Sequence, residues 1–225
     1  MRRRALARSS LGAHVVRMTH DPNEPLPHDF DWNDLYAGDE RDYMPPDPLM
    51  VELIEALEPG HALDVGCGAG GLLAAMAERG WVISGIDVAA NAIEAARRVL
   101  GQRGADATLE VADAATWRPP RTYDLVTNCF AMPMLRAQQV RAFETLREAV
   151  APGGHVIIEE LDPQMSRLAA FAGFDHISVE HLSEAFAGFE VLRAEVVPTP
   201  AHDHGQGSRV DERWTASLLV ARRPG

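Results

Sequence analysis

The sequence predicts an α/β protein with a doubly wound, mostly parallel sheet of seven strands that ends in an antiparallel hairpin. Three observations carry that prediction. Strand-length apolar runs alternate with helix-length periodic segments from 61 to 160, which is the pattern of a parallel sheet with right-handed crossovers. The first strand enters its helix through a glycine-rich turn, LDVGCGAGG at 63–71. After 189, two strand-like runs follow each other without an intervening helix, so they should pair antiparallel.

Each element has a local reason. Asp47-Pro48 opens a helix, with Asp as N-cap and Pro in the first turn. Leu49, Leu53, Ile54 and Leu57 fall at helical spacing, and Pro59-Gly60 ends the segment. Strands are predicted at 61–66, 81–87, 107–112, 123–128 and 155–160, with helices between them at 70–79, 90–103 and 137–150. Beyond Leu161 the pattern changes to a helix at 178–187, a strand at 189–197, a loop at 198–211 and a last strand at 213–222.

Composition narrows the chemistry. The chain has no lysine, and its 21 basic residues are all arginine against 33 acids, for a net charge of −12. A Schiff base, a pyridoxal-phosphate enzyme and a P-loop lysine are thereby excluded, and a coding bias towards arginine accounts for the absence. Residues 1–17 carry Arg2, Arg3, Arg4, Arg8 and Arg17 and no acid, leaving −17 on residues 18–225. So acidic a body repels nucleic-acid phosphates and anionic membranes, so neither is expected as a partner. The basic start reads as a transit peptide, as a disordered arm, or as sequence upstream of a start at Met18, the reading preferred here. Residues 1–29 are accordingly set apart as an N-terminal arm, and 30–225 as the domain. Cys67 and Cys129 form no disulfide framework or zinc pattern, and no metal site is expected. No run of about 18 apolar residues exists, and a cytoplasmic protein, monomer or homodimer, is the default expectation.

Gly66, Gly68 and Gly70 occupy a turn where the backbone bends sharply and a ligand approaches closely. With Gly71 they also satisfy G-x-G-x-x-G, so the glycines alone do not separate a nicotinamide site from other nucleotide sites. Asp64 does. A carboxylate at the end of an apolar strand is costly to bury without a partner, and it suits an ammonium-bearing ligand better than a pyrophosphate. Asp87 ends the second strand, 21 residues after Gly66, where a carboxylate accepts ribose hydroxyls. Asp113 follows the third strand. Three strand ends thus present acids around one crevice. The plain alternatives are that Asp113 only caps a turn and that Cys67 and Cys129 are small spacers.

On these motifs the chain resembles the class I S-adenosylmethionine-dependent methyltransferases, which have a Rossmann-like fold. LDVGCGAG, GIDVAANAIEAAR (85–97), VADAATW (111–117), DLVTN (124–128) and the strand after Pro152-Gly153-Gly154 match the family's elements in order, over about residues 30–222. The resemblance implies S-adenosyl-L-methionine as cofactor. It assigns Asp64 and the Gly66–Gly70 backbone to its methionine part, Asp87 to the ribose, Asp113 and Ala114 to adenine, and Asn128 to the floor near the sulfonium, with Val88 as a further cofactor-binding residue. The expected activity is in-line methyl transfer to the O, N, S or chalcogen atom of a small molecule. Three segments are candidates for the acceptor side: the aromatic arm with Trp32, Tyr36 and Tyr43, the FAMPML run with Phe130 and Met132, and the 200–209 loop with His202 and His204. The arm and the hairpin loop are similar to those of small-molecule methyltransferases of the tellurite-resistance and thiopurine type. His202 and Tyr36 are the candidate catalytic residues, a histidine base titrating near neutral pH. A solvated loop around His202, and core roles for Phe130 and Met132, are the alternatives. Arg136 and Arg209 are candidates for an anionic substrate. Rival readings are an NAD(P)-dependent oxidoreductase on the same glycines and a non-catalytic S-adenosylmethionine-binding regulator.

Overall fold

The computed structural model describes residues 30–37, 45–200 and 213–225. Seven strands form one sheet in the order β3-β2-β1-β4-β5-β7-β6. They are β1 His61–Val65, β2 Val82–Asp87, β3 Ala107–Val111, β4 Tyr123–Cys129, β5 Val150–Leu161, β6 Glu190–Thr199 and β7 Trp214–Arg222. The first five run parallel, whereas β7 lies antiparallel between β5 and β6. The expected hairpin is therefore present, with its second strand inserted inside its first.

The helices are α1 Trp32–Leu35, α2 Pro48–Glu55, α3 Gly71–Glu78, α4 Ala90–Gln102, α5 Arg136–Ala149 and α6 Val179–Ala185. At the start of α2 the Asp47 carboxylate accepts from Leu49 N, as its N-cap reading requires. Ser178 caps α6 in a reciprocal capping box with His181. Apolar residues alternate across the sheet, as expected of strands covered on both faces. Leu125, Ile157 and Leu218 face a cluster with Met50, Leu73, Met76 and Ile93 from α2, α3 and α4. Val126, Val156, Ile158 and Leu219 face Phe143, Leu146, Leu182 and Phe186 from α5 and α6.

One boundary differs. The Pro152-Gly153-Gly154 run reads as a turn, but β5 starts already at Val150, and its register against β4 shifts between Tyr123 and Leu125. The turn-like residues are absorbed as a bulge inside the ladder. The short helix α1 docks on α4, where Asn91 N donates to Asn33 Oδ1 (3.2 Å) and Asn91 Nδ2 to Asn33 O (3.0 Å). The aromatic arm is thereby held against the body.

Strand order reverses between β1 and β4, and open sheets of this kind bind ligands beyond the carboxyl ends of their strands at that reversal.

Candidate functional site

A cavity of about 450 Å³ opens at that end of the sheet. Its wall begins with the loop after β1. Gly66 N and Cys67 N donate to Ile86 O at 2.8 and 3.0 Å, which pins the loop to the end of β2. Gly66 has φ +76, and a Cβ there would sit 2.1 Å from the Ala131 Cβ. Gly68 has φ +51, and its missing Cβ would meet the Tyr36 hydroxyl at 2.7 Å. Both positions thus need glycine for backbone conformation and for close approach.

Asp64 is buried on this wall and accepts a 2.8 Å bond from Thr127 Oγ1. Burial pushes its carboxyl up to about 7, a rise that the Thr127 bond opposes and the nearby Asp87 charge reinforces. Asp87 accepts from Gly68 N (2.9 Å) through Oδ2 and from Ala89 N (2.8 Å) through Oδ1. Burial raises its pKa while these two bonds oppose the shift. Asp113 is exposed and accepts from Ala115 N at 2.8 Å, so it does cap its turn, yet it also lies on the wall beside Ala114.

The far side is formed by the loop after β4. Phe130 adopts φ +52, the left-handed conformation that a side chain disfavours. Glu160, at the end of β5, holds the residues that follow. Its Oε1 accepts from Ala131 N (2.7 Å) and Met132 N (2.8 Å), and burial lifts its carboxyl to about 7 against those bonds. Behind it Glu159 is fully buried and pushed to about 8 by desolvation and the Asp47 charge.

The cavity brings together Trp32, Tyr36, Asp64, Gly66, Gly68, Asp87, Val88, Asp113, Ala114, Phe130 and Met132, all singled out in the sequence. Two others lie elsewhere. Gly70 (φ +79) stands at the start of α3 with Ala96 3.1 Å from its would-be Cβ, so it serves helix packing and does not line the cavity. Asn128 is also off the wall. The β1–β4 register ends at Asp64 opposite Thr127, and Asn128 Nδ2 donates to the Val65 carbonyl at 2.8 Å. Tyr43, His202, His204 and Arg209 fall outside the described residues.

Sequence reasoning missed Asp47, Glu160, Gln139, Asp175 and His176, which also line the cavity. A signal existed for Glu160, since two acids interrupt the apolar run of β5. Asp47 was legible only as a cap. Nothing local marked Gln139, Asp175 or His176. Among the described residues the wall carries six carboxyl groups (Asp47, Asp64, Asp87, Asp113, Glu160 and Asp175) and no arginine. No described helix is long and apolar enough to cross a membrane, and no described group of His, Cys, Asp and Glu has the makings of a metal site.

The raised carboxyls make a stability prediction. A carboxyl whose folded pKa lies above its unfolded value binds more protons in the folded state, so its contribution is fully present below about pH 4 and lost as pH rises through the folded value. For Asp64, Glu160 and Glu159 that window runs from about 4 to 7 or 8. The ligand-free chain should therefore be more stable to urea at pH 5.5 than at pH 8.5. A cationic ligand at Asp64 should narrow the difference.

The sheet order and the cavity at its switch point define the Rossmann-like fold of the class I methyltransferases. Residues 62–154 match the family model described as a methyltransferase domain. The chain is 29% identical over 165 residues to the ubiquinone biosynthesis O-methyltransferase of Vibrio cholerae, covering 72% of this chain and 61% of that protein. The chain thus spans less than two thirds of that relative's length. Among solved structures it is similar to the N-methyltransferase NodS of Bradyrhizobium japonicum in complex with S-adenosyl-L-homocysteine (TM-score 0.65, 17% identity, 84% of this chain and 95% of that one). It is also similar to TehB of Haemophilus influenzae (TM-score 0.68, 17% identity, 82% and 64%). At these identities the two structures support the fold alone.

Proposed function

We propose that the chain transfers a methyl group from S-adenosyl-L-methionine to a small-molecule acceptor bound in this cavity. The observation that carries the reading is Asp64: a buried carboxylate on the cavity wall beside the glycine loop, raised to about 7, with no arginine among the described residues of the wall to neutralise it. Its chemistry fits the ammonium of the cofactor's methionine part. Asp87 would accept the ribose hydroxyls while keeping the loop in place, and Asp113 with Ala114 would flank the adenine. Trp32 and Tyr36 would shield the site from water, with Phe130 and Met132 towards the acceptor. Tyr36 remains the candidate catalytic residue on the described wall, and His202 and Tyr43 remain candidates on segments the structure does not describe. When bound, the cofactor supplies a methyl group on a sulfonium whose positive charge vanishes on transfer. The protein's part is to align, desolvate and deprotonate the acceptor.

The name of the Vibrio cholerae relative supports oxygen as the accepting atom. A nicotinamide dinucleotide is the rival, and the six carboxyls among the described residues of the wall oppose its pyrophosphate. A thermal-shift panel separates the two. At a hundred times its dissociation constant a ligand stabilises by about 2.7 kcal/mol, and S-adenosyl-L-homocysteine should do so where NADH and NADPH do not. Stabilisation by a dinucleotide alone would sink the proposal.

A further inference from the structure

One buried carboxyl of the cavity has an open oxygen. Glu160 is 7% exposed and lines the cavity. Its Oε1 receives both Ala131 N and Met132 N. No described residue hydrogen-bonds to Oε2, and this oxygen is not sealed from water as the Oε1 of neighbouring Glu159 is. The Leu161 N–H also favours the charged carboxyl, yet each carboxylate oxygen has two acceptor sites. Because β5 lies inside the sheet, between β4 and β7, the cavity is where Oε2 opens.

Position sets Glu160 apart from the other wall acids. Asp64, Asp87 and Asp113 stand at the ends of β1, β2 and β3, whereas Glu160 lies two strands from Asp64 across β4. It therefore occupies the side of the cavity that the cofactor leaves to the acceptor. Asp47 is engaged through both oxygens, Oδ1 by Leu49 N (2.7 Å) and Oδ2 by Thr199 Oγ1 (3.1 Å). Asp175 is exposed and takes Arg136 N. The remaining titratable groups of the described wall are unsuited to receive a proton from the acceptor. His176 Nε2 is closed off, and the Tyr36 hydroxyl stands over Gly68 on the cofactor side. Burial, then the charges of Glu159, Asp47, Asp64 and Glu160, keep the Cys129 thiol protonated. A hydroxyl must shed its proton as it is methylated, and the chain has no lysine to take it.

We propose that Glu160 Oε2 hydrogen-bonds the acceptor's hydroxyl and takes its proton during methyl transfer, so that one carboxyl fixes the loop after β4 and serves as the base. The proposal rests on the methyl-transfer reading above, with oxygen as the accepting atom. The acceptor oxygen forms a bond to the methyl carbon as the carbon–sulfur bond breaks. That electron pair stays on sulfur, which becomes a neutral thioether, and the O–H proton passes to Oε2, leaving a neutral carboxylic acid. Burial already lifts the carboxyl to about 7, where a base works best near neutral pH. The charges around it are negative: Glu159 beside it, Asp47 and Asp64 about Cys129, and Asp162, to which the facing Ser217 of β7 donates. An anionic acceptor would be repelled there.

Glu160→Gln tests this, because a carboxamide oxygen can still receive Ala131 N and Met132 N while the base is gone. In turnover of phenol with S-adenosyl-L-methionine, the variant should lose about 10²-fold in kcat, with affinity for S-adenosyl-L-homocysteine within about twofold of wild type by calorimetry. The wild-type rate should fall as pH drops through the Glu160 pKa, and the variant's residual rate should not. In full-length wild type labelled with ¹³C-glutamate and saturated with S-adenosyl-L-homocysteine, phenol should shift the Glu160 carboxyl resonance, whereas benzoate and benzylamine should not. A variant that keeps the wild-type pH profile while losing kcat, cofactor affinity and urea stability together would make Glu160 a loop anchor alone and overturn the proposal. So would an unchanged kcat, no turnover or shift with phenol, or a shift led by benzoate or benzylamine. Failure of the wild type to bind S-adenosyl-L-homocysteine would instead overturn the methyl-transfer reading beneath it.

Discussion

Gly66→Ala is expected to destabilise the chain by about 3 kcal/mol and to abolish cofactor binding. Two costs add. A side chain in the left-handed region costs about 1–2 kcal/mol, and Gly66 sits at φ +76. Overpacking costs about 1–3 kcal/mol more, because the new Cβ would lie 2.1 Å from the Ala131 Cβ. Ala131 cannot retreat freely, since its N–H is bonded to the buried Glu160 carboxyl. Strain relieved by moving the loop would instead break the Gly66 and Cys67 bonds to Ile86 O. Urea denaturation would measure the first effect and calorimetry with S-adenosyl-L-homocysteine the second. A variant within 1 kcal/mol of wild type that still binds would contradict this account of the loop.

Asp87→Ala should weaken cofactor binding by about 10³-fold, with a smaller loss of stability. The carboxylate joins two elements, because Oδ2 receives Gly68 N from the glycine loop and Oδ1 receives Ala89 N at the head of α4. A hydrogen bond to a charged group contributes about 1.5–3 kcal/mol, and the alanine leaves both N–H groups bare at the cavity. The ribose would lose its acceptor at the same time. Asp87→Asn keeps one acceptor oxygen and should fall between the two. Titration of all three proteins with S-adenosyl-L-homocysteine gives the ranking; an alanine variant binding as tightly as wild type would remove Asp87 from the site.

Much of the site was legible because acids are conspicuous in apolar strands. Asp64 and Asp87 stood out where burial demands a reason, and the structure places both on the cavity wall. Asn128 shows the limit of that logic. It too ends a largely apolar strand, but β1 leaves its pairing with β4 at Asp64, and Asn128 Nδ2 donates to the Val65 carbonyl. Gly70 stands with its neighbours in the glycine turn, while its lack of a side chain serves the approach of Ala96. In both cases the determining partner lies on another element.

The sequence by itself determined the order of strands and helices, the glycine turn and the acidic lining from β1 to β3, because periodicity, capping and backbone freedom act over a few residues. Only the tertiary structure decided that β7 inserts between β5 and β6, that Glu160 anchors the loop after β4, and that Gln139 on α5 reaches the Asp175 carbonyl. The side-chain contacts span about 28 to 36 residues of chain, and the β5–β7 pairs span more than 50. They form because the sheet carries distant segments to the same strand ends, where burial leaves each polar group to find whatever partner the fold supplies.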